Sequence, residues 1–497
     1  MSRNDQPWTR RRFLRVGVIG VVGGLVLAAV DEAVILRLFQ GSAQASSPAG
    51  ATPDPRLHFR SRPDLAPHPI TVLTAADQVS DGLVFLTPGV DGGQGDGLVM
   101  IDNHGEPVWI NPLSDLRAFN FKVQRYRGAP VLTWWEGVVV GGHGQGEGVL
   151  ADTTYREIAR VRAAGGLQCD LHEFLITPQD TALITAYAQV PHAAAPGGQP
   201  ILEGIVQEVD IATGRLLFEW HSYPTVRLAE SCAPDPSDRT QPFDYFHVNS
   251  IDVDTDGHLL VSARHTWTVY KLHRSTGAIL WRLGGKHTDF AAAPAAAFSW
   301  QHDARRQPDG TLTVFDDEAP PTPSRGLRLQ IDETARGVSL VRAYTHPAPI
   351  SSDTRGDVQI LPNGNVFVGW GGAPFASEFG PAGDLRFDVA LWPGELSYRA
   401  CRYPWRGQPS GSPAAAAEKT SSGGAIVYAS WNGATDVQRW QILAGATADG
   451  LQIAATAPRG GFETAVTLPS AWPFVAARAL DATGVVLGTS PVIQVGA

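Results

Sequence analysis

Apolar residues in this chain fall in short runs of about four to eight, cut by polar turns and lacking helical spacing. From about residue 68 to 400 one phrase returns, a polar turn followed by an apolar strand. Asp102-Asn103-His104-Gly105 leads to Val108-Trp109, and Asp210-Ile211-Ala212-Thr213-Gly214 leads to Leu217-Phe218-Glu219-Trp220. His273-Arg274-Ser275-Thr276-Gly277 leads in the same way to Ile279-Leu280-Trp281. With copies at Asp152, Asp332 and Pro381 the phrase opens six times, at spacings of 50, 58, 63, 59 and 49 residues. The last four units also carry an earlier turn, ending at Asp180, Gly257, Gly310 and Gly364. Asp-Gly and Asn-Gly between apolar runs signal hairpins, because these residues accept the left-handed backbone of tight turns. Two hairpins per unit, six times over, predict an all-β chain: a six-bladed β-propeller of four-stranded blades over 68–405. A long sandwich or a β-helix would not need turns paired so regularly.

Outside that range the pattern changes. Residues 406–423 are rich in Pro, Ser and Ala and read as a linker. Alternation returns in Ile426–Trp431, Val437–Leu443 and Trp472–Ala479, which predicts a small fibronectin III/Ig-like β-sandwich over 424–497. Residues 46–67, again Ala/Ser/Pro-rich, read as a tether. A chain of 497 residues with 43% hydrophobic content is long enough for more than one core.

Charge narrows the partners. The segment 1–45 holds six Arg and three acids; the remainder carries 33 basic and 46 acidic residues, a net charge of −13. That acidity argues against nucleic acid and against anionic membrane. Thr9-Arg10-Arg11-Arg12-Phe13-Leu14-Arg15, the apolar Val16–Val30 and Ala43-Gln44-Ala45 read as a twin-arginine export signal with a small-residue cleavage site. Residues 1–45 are therefore expected to be a signal peptide or an uncleaved N-terminal anchor, the only route to a membrane. The mature chain is expected outside the cytoplasm, secreted or anchored. Cys169, Cys232 and Cys401 are too few for a disulfide scaffold and allow one bridge at most.

Three histidines stand at matched places in consecutive units. His172 precedes the turn residue Asp180, His247 precedes Asp256, and His302 precedes Asp309, by eight, nine and seven residues. The first strand of a propeller blade lines the channel, so all three are expected to meet at one axial funnel. A one-residue change of offset flips a side chain in a regular strand, so bulges must absorb the difference. Arg264 is expected on the next strand of the His247 blade, with Asn249 on the face of His247. So much potential positive charge around one cavity calls for a bound anion. The remaining histidines, His143 among them, read as structural or surface residues, and His265 should point away from Arg264. Arg325 is a weaker second arginine.

Other motifs carry less. Asp252-x-Asp254-x-Asp256-Gly257 lacks the Glu of a calcium loop and reads as a hairpin turn. Zinc on the three histidines lacks a supporting short His pair, so no metal and no cofactor is expected. Gly141-Gly142-His143-Gly144-Gln145-Gly146 has no Lys-Ser/Thr after it and reads as a flexible turn.

Taken together, Asp170-Leu171-His172-Glu173-Phe174, Asp244–Ser250, Ser262-Ala263-Arg264-His265-Thr266, Trp281–Gly285 and Trp300-Gln301-His302-Asp303 resemble the second, widely distributed branch of the arylsulfotransferase family. Leu361–Asn365 and Ser430–Thr435 extend the likeness. The resemblance implies a six-bladed propeller and transfer of a sulfuryl group from an aryl sulfate to a phenol, without a nucleotide sulfate donor. It implies His302 as the nucleophile that becomes sulfohistidine, His247 as acid and base, and Arg264 with His172 as the grip on the sulfuryl oxygens. Asn249 would orient that group, and Trp or Phe at the mouth would stack on the ring. Small-molecule aryl sulfate and phenol are then the partners, and a homodimer stays open. The alternative is a non-catalytic propeller that binds a small anionic or glycan ligand at the cell surface.

Overall fold

A computed structural model describes residues 55–496, apart from 92, 94, 96, 193, 194, 236, 237, 239 and 319–321. The export signal expected over 1–45 lies outside the described residues. Both turns of each repeated phrase are hairpin turns. The later one joins the third and fourth strands of a sheet, as between Thr268–Leu272 and Ile279–Gly284. The earlier one joins the first and second, as between Val248–Val253 and Leu259–Ala263. Local turn chemistry therefore sets the order of strands within each sheet.

The chain is an all-β propeller followed by a sandwich. Among the described residues six sheets of four or five mainly antiparallel strands succeed one another between Thr71 and Tyr403, beside a two-stranded pairing of Gly89–Val90 with Glu395–Leu396. Their first strands are Arg117–Tyr126, Phe174–Ile176, Val248–Val253, His302–Arg306, Asp357–Ile360 and Cys401–Tyr403. The sheet begun by Cys401–Tyr403 takes its other strands, Leu83–Leu86, Leu98–Ile101 and Pro107–Asn111, from the other end of the propeller sequence. That exchange fastens the ring shut.

Apolar faces are buried between neighbouring sheets. Trp135 and Leu150 meet Phe174 and Ile184, while Val206 and Trp220 meet Ile251 and Tyr270. Leu260 and Trp281 meet Val314 and Leu327, and Phe315 meets Val358 and Val366. Phe367 and Phe387 meet Val84 and Ile101, and Phe85 and Met100 meet Leu132 and Val149. The last pair of sheets returns to the first. With each large buried side chain contributing about 1.5–3 kcal/mol, these interfaces dominate the stability of the ring.

Two sheets form the C-terminal sandwich, Ala414–Lys419 with Ala425–Ser430 and Glu463–Leu468 against the sheet around Arg439–Gly445 and Phe474–Leu480. The stretch expected to be a linker, 406–423, therefore supplies a strand. Small alanines at 415 and 417 pack on the sandwich core, which composition alone cannot distinguish from a linker. The expected tether is also partly fixed. Phe59 lies 4.3 Å from Phe462 between ring centroids, and Glu463 accepts the Arg60 and Ser61 amides. Asn432 exchanges two hydrogen bonds with the backbone of Ile110, so the sandwich is bolted to a propeller strand. Cys169, Cys232 and Cys401 are all free thiols.

Candidate active site

Three consecutive inner strands start on a histidine at the same end of the channel. His172 lies in the turn before Phe174–Ile176, His247 directly precedes Val248–Val253, and His302 opens His302–Arg306. Irregular backbone absorbs their unequal offsets. His247, Trp300 and Asp303 have φ of 56°, 56° and 54°, and register shifts follow Val248 and His302. Each left-handed non-glycine residue costs about 1–2 kcal/mol, a conformation held by the packing around it.

His172, His247, His302 and Arg264 line one cavity of about 490 Å³. The rings of His172 and His247 are 4.7 Å apart. A carboxylate orients every one of the three imidazoles. Asp170 meets Nδ1 of His172 at 2.6 Å, Asp244 meets Nδ1 of His247 at 2.5 Å, and Asp317 meets Nδ1 of His302 at 2.6 Å. Such pairs fix the tautomer and leave Nε2 as the nitrogen offered to a ligand. On His302, Nε2 accepts the backbone N–H of Arg355 at 3.3 Å, which puts the ring proton on Nδ1 and makes Asp317 its acceptor. Burial and the nearby charges of Arg264, His247 and His172 hold His302 well below the usual histidine pKa. Burial pushes the Asp317 carboxyl up, against the pull of Arg264.

Arg264 sits in a 3-10 turn, Arg264–Thr266, rather than on a strand. Its guanidinium lies 4.7 Å from the Trp300 ring centroid and donates to the Asp353 carbonyl at 2.7 Å. Its Nε is buried without a hydrogen-bond partner among the described residues. The same turn overturns the expectation for His265. Strand alternation ends at Ala263, so the His265 ring swings to 4.6 Å from His247 and accepts from Arg264 at Nε2, 3.0 Å away.

Asn249 does not line the cavity. It is fully buried and donates Nδ2 to the carbonyl of Gln301 at 2.6 Å, the residue before His302. Asn120 does the same to Leu171, the residue before His172, also at 2.6 Å. Each asparagine thus holds the backbone that aims the next sheet's histidine. Arg325 is spent elsewhere, on Asp316 and Glu318.

His143 is the residue whose reading as surface fails most clearly. The hairpin Ala129–Val140 and His143–Ala151 overreaches its sheet, and its Gly141-Gly142 tip turns through φ of 58° and 85°. His143 there meets Asp244 through Nε2 at 3.1 Å and the Gly141 carbonyl through Nδ1 at 3.0 Å. Burial opposes charge on this ring, but Asp244 outweighs it and raises the pKa. Against burial, His247 and His265 hold Asp244 well below the carboxylate range. His247 itself is lowered well below its ordinary value by burial. Tyr398 completes the wall with a buried hydroxyl that has no hydrogen-bond partner among the described residues.

His143, Asp244 and His247 are close enough to be considered as metal ligands. Ligands on a tetrahedral zinc stand about 3.3 Å apart, given bonds near 2.0–2.2 Å. Nδ1 of His247 is 2.5 Å from the same Asp244 oxygen that His143 uses, which is hydrogen-bond geometry.

A family model described as arylsulfotransferase (ASST) matches residues 122–391, more than half of the chain and including all three histidines and Arg264. The chain belongs to the arylsulfotransferase family. Membership supports sulfotransferase activity in general and agrees with aryl sulfates and phenols as substrates. No curated protein matches this arylsulfotransferase family member. Among solved structures it is similar to a protein of unknown function from Bacteroides caccae, with 13% identity, 65% of this chain and 98% of that one covered, and a TM-score of 0.43. The periplasmic gluconolactonase of Pseudomonas aeruginosa is 13% identical, with 84% and 96% covered and a TM-score of 0.35. Virginiamycin B lyase from Staphylococcus aureus is 9% identical, with 70% and 95% covered and a TM-score of 0.35. Likenesses this distant say nothing about chemistry.

Proposed function

We propose that this protein moves a sulfuryl group from a phenolic sulfate ester to a phenolic acceptor through a sulfohistidine at His302, with no nucleotide donor. The observation that carries the reading is the placement of His302: a ring held at Nδ1 by Asp317, in a cavity that Arg264, His247 and His172 also line. In the first half-reaction Nε2 attacks sulfur, an N–S bond forms, and the S–O bond to the ring breaks with its electron pair leaving on the phenolate. Arg264 and His172 grip the sulfuryl oxygens, and the Arg355 amide, released from Nε2 as that atom bonds to sulfur, supplies a further donor. The leaving phenolate takes the proton shared by His143, Asp244 and His247. The incoming phenol returns it as its oxygen attacks sulfur and frees His302. Asn249 acts by holding Gln301 rather than by touching the sulfuryl group.

Export through the twin-arginine route remains our reading of residues 1–45.

The test is p-nitrophenyl sulfate with and without phenol. Acceptor-dependent release of p-nitrophenol, lost in His302→Asn, is the expected result. Absence of release across a panel of aryl sulfates would favour a non-catalytic anion-binding propeller instead.

A further inference from the structure

The histidine cavity brings two further arginines beside one carboxylate, Asp91. Arg117 opens the inner strand Arg117–Tyr126 and lines the cavity beside Arg355. Among the described residues Arg117 makes no hydrogen bond and no ion pair, and its guanidinium lies over Phe119 at 5.2 Å. Arg355 reaches the exposed Asp91 at 2.7 Å, so two guanidinium groups share one rim carboxylate. In a chain of net charge −10, two guanidinium groups beside one carboxylate run against the overall sign.

An aromatic wall joins this rim to the histidines. Phe119 meets Tyr398 edge-on at 5.5 Å, and Tyr398 meets His172 at 5.9 Å. A substrate ring lying on that wall, with its sulfuryl group among the histidines, turns its far end toward Arg117. We propose that Arg117 and Arg355 form an anion subsite, and that the preferred aryl substrates carry a second anionic group, a carboxylate, on the ring position remote from the transferred oxygen. The orientation of the ring rests on the sulfotransferase reading; the subsite itself rests on the arginines. Burial and repulsion from Arg355 lower the Arg117 pKa, and a bound carboxylate relieves both. A guanidinium is suited to that role because its planar fork matches a carboxylate.

The test uses sulfonates, which bind as sulfate mimics and cannot be transferred. Calorimetry on the whole protein compares benzenesulfonate with 4-sulfobenzoate. The added charge-assisted bond is expected to make 4-sulfobenzoate bind about tenfold more tightly or better. That ratio should fall toward one in Arg117→Met, survive in part in Arg117→Lys, and shrink as salt is raised. Equal affinity for the two sulfonates in the unaltered protein overturns the proposal, as does a ratio that Arg117→Met leaves intact. Turnover of phenol against 4-hydroxybenzoate separates the two readings. If neither is sulfated while the sulfonate ratio holds, the transferase reading fails and the subsite stands.

Discussion

The two ends of the propeller channel are both lined with charged residues, yet they are built in opposite ways. At the end away from the histidines a cavity of about 620 Å³ is lined by Lys122, Arg305, Arg399, Asp303 and Asp357. There most of the charges pair with one another, although among the described residues Nε of Arg399 has no hydrogen-bond partner. Glu173, fully buried, takes Lys122 at 3.0 Å and also Arg305 and Arg399, while Asp303 takes Arg305 at 2.6 Å and Arg399 at 3.1 Å. At the histidine end the imidazoles are oriented from behind, and the front nitrogen of His302 meets the backbone amide of Arg355. Three carboxylates hold the imidazoles by Nδ1, and among the described residues the Tyr398 hydroxyl and Arg264 Nε have no hydrogen-bond partner. The larger of these two cavities is the more fully paired one. A ligand site is marked by polar groups that the fold positions but does not satisfy, rather than by the density of charge.

This contrast can be broken from either side. The largest effect is expected at the open end. His302→Asn should lower transfer by at least ~10³-fold, as loss of a nucleophile does, with the melting temperature little changed. At the closed end the damage should be to stability instead. Glu173→Ala strands the buried Lys122 and leaves Arg305 and Arg399 with Asp303 between them, and should cost about 3–5 kcal/mol in urea unfolding. Asp317→Asn removes the acceptor that fixes the His302 tautomer, and kcat should fall by roughly 10²-fold. A smaller loss, about 1–3 kcal/mol of stability, is expected for Asn249→Ala, since the Gln301 carbonyl loses a buried donor.

The acid limb of the pH profile sharpens the same comparison. Attack needs neutral His302, and its folded-state pKa is depressed, so protonation comes only at a pH below the ordinary histidine value of about 6.5. Activity governed by this ring is therefore expected to persist as pH falls through 6.5 and to be lost further down. A limb at or above that value would mean that burial and Arg264 do not control the ring.

Much of this arrangement is legible in the chain. Asp256-Gly257, Asp309-Gly310 and Asn363-Gly364 are turn signals that act locally, so they reveal the strand order without knowledge of tertiary contacts. The convergence of His172, His247 and His302 follows from the repeat itself. What escapes is whatever depends on a departure from the repeat. His265 needs the 3-10 turn that ends strand alternation at Ala263, and His143 needs a hairpin longer than its neighbours. Asp317 and Arg355 lie 15 and 53 residues from His302, and no local pattern links either to it. The importance of Asn249 is visible in the chain, but its contact is not. Its alternation with His247 counts for nothing once His247 leaves the regular strand, and the side chain turns to the Gln301 carbonyl instead. The alanines of Ala414–Lys419 read as a linker because small side chains serve both a loose chain and a tightly packed strand.

The central claim is that the orphaned end of the channel does chemistry at one nitrogen. It is tested most directly by mixing the protein with excess p-nitrophenyl sulfate in the absence of acceptor, quenching in alkali, and mapping the peptides by mass spectrometry. The account predicts one p-nitrophenol released per chain in a burst and one sulfuryl group retained, on His302. A burst with the group on another residue, or acceptor-dependent turnover with no protein-bound sulfuryl group at all, would contradict it.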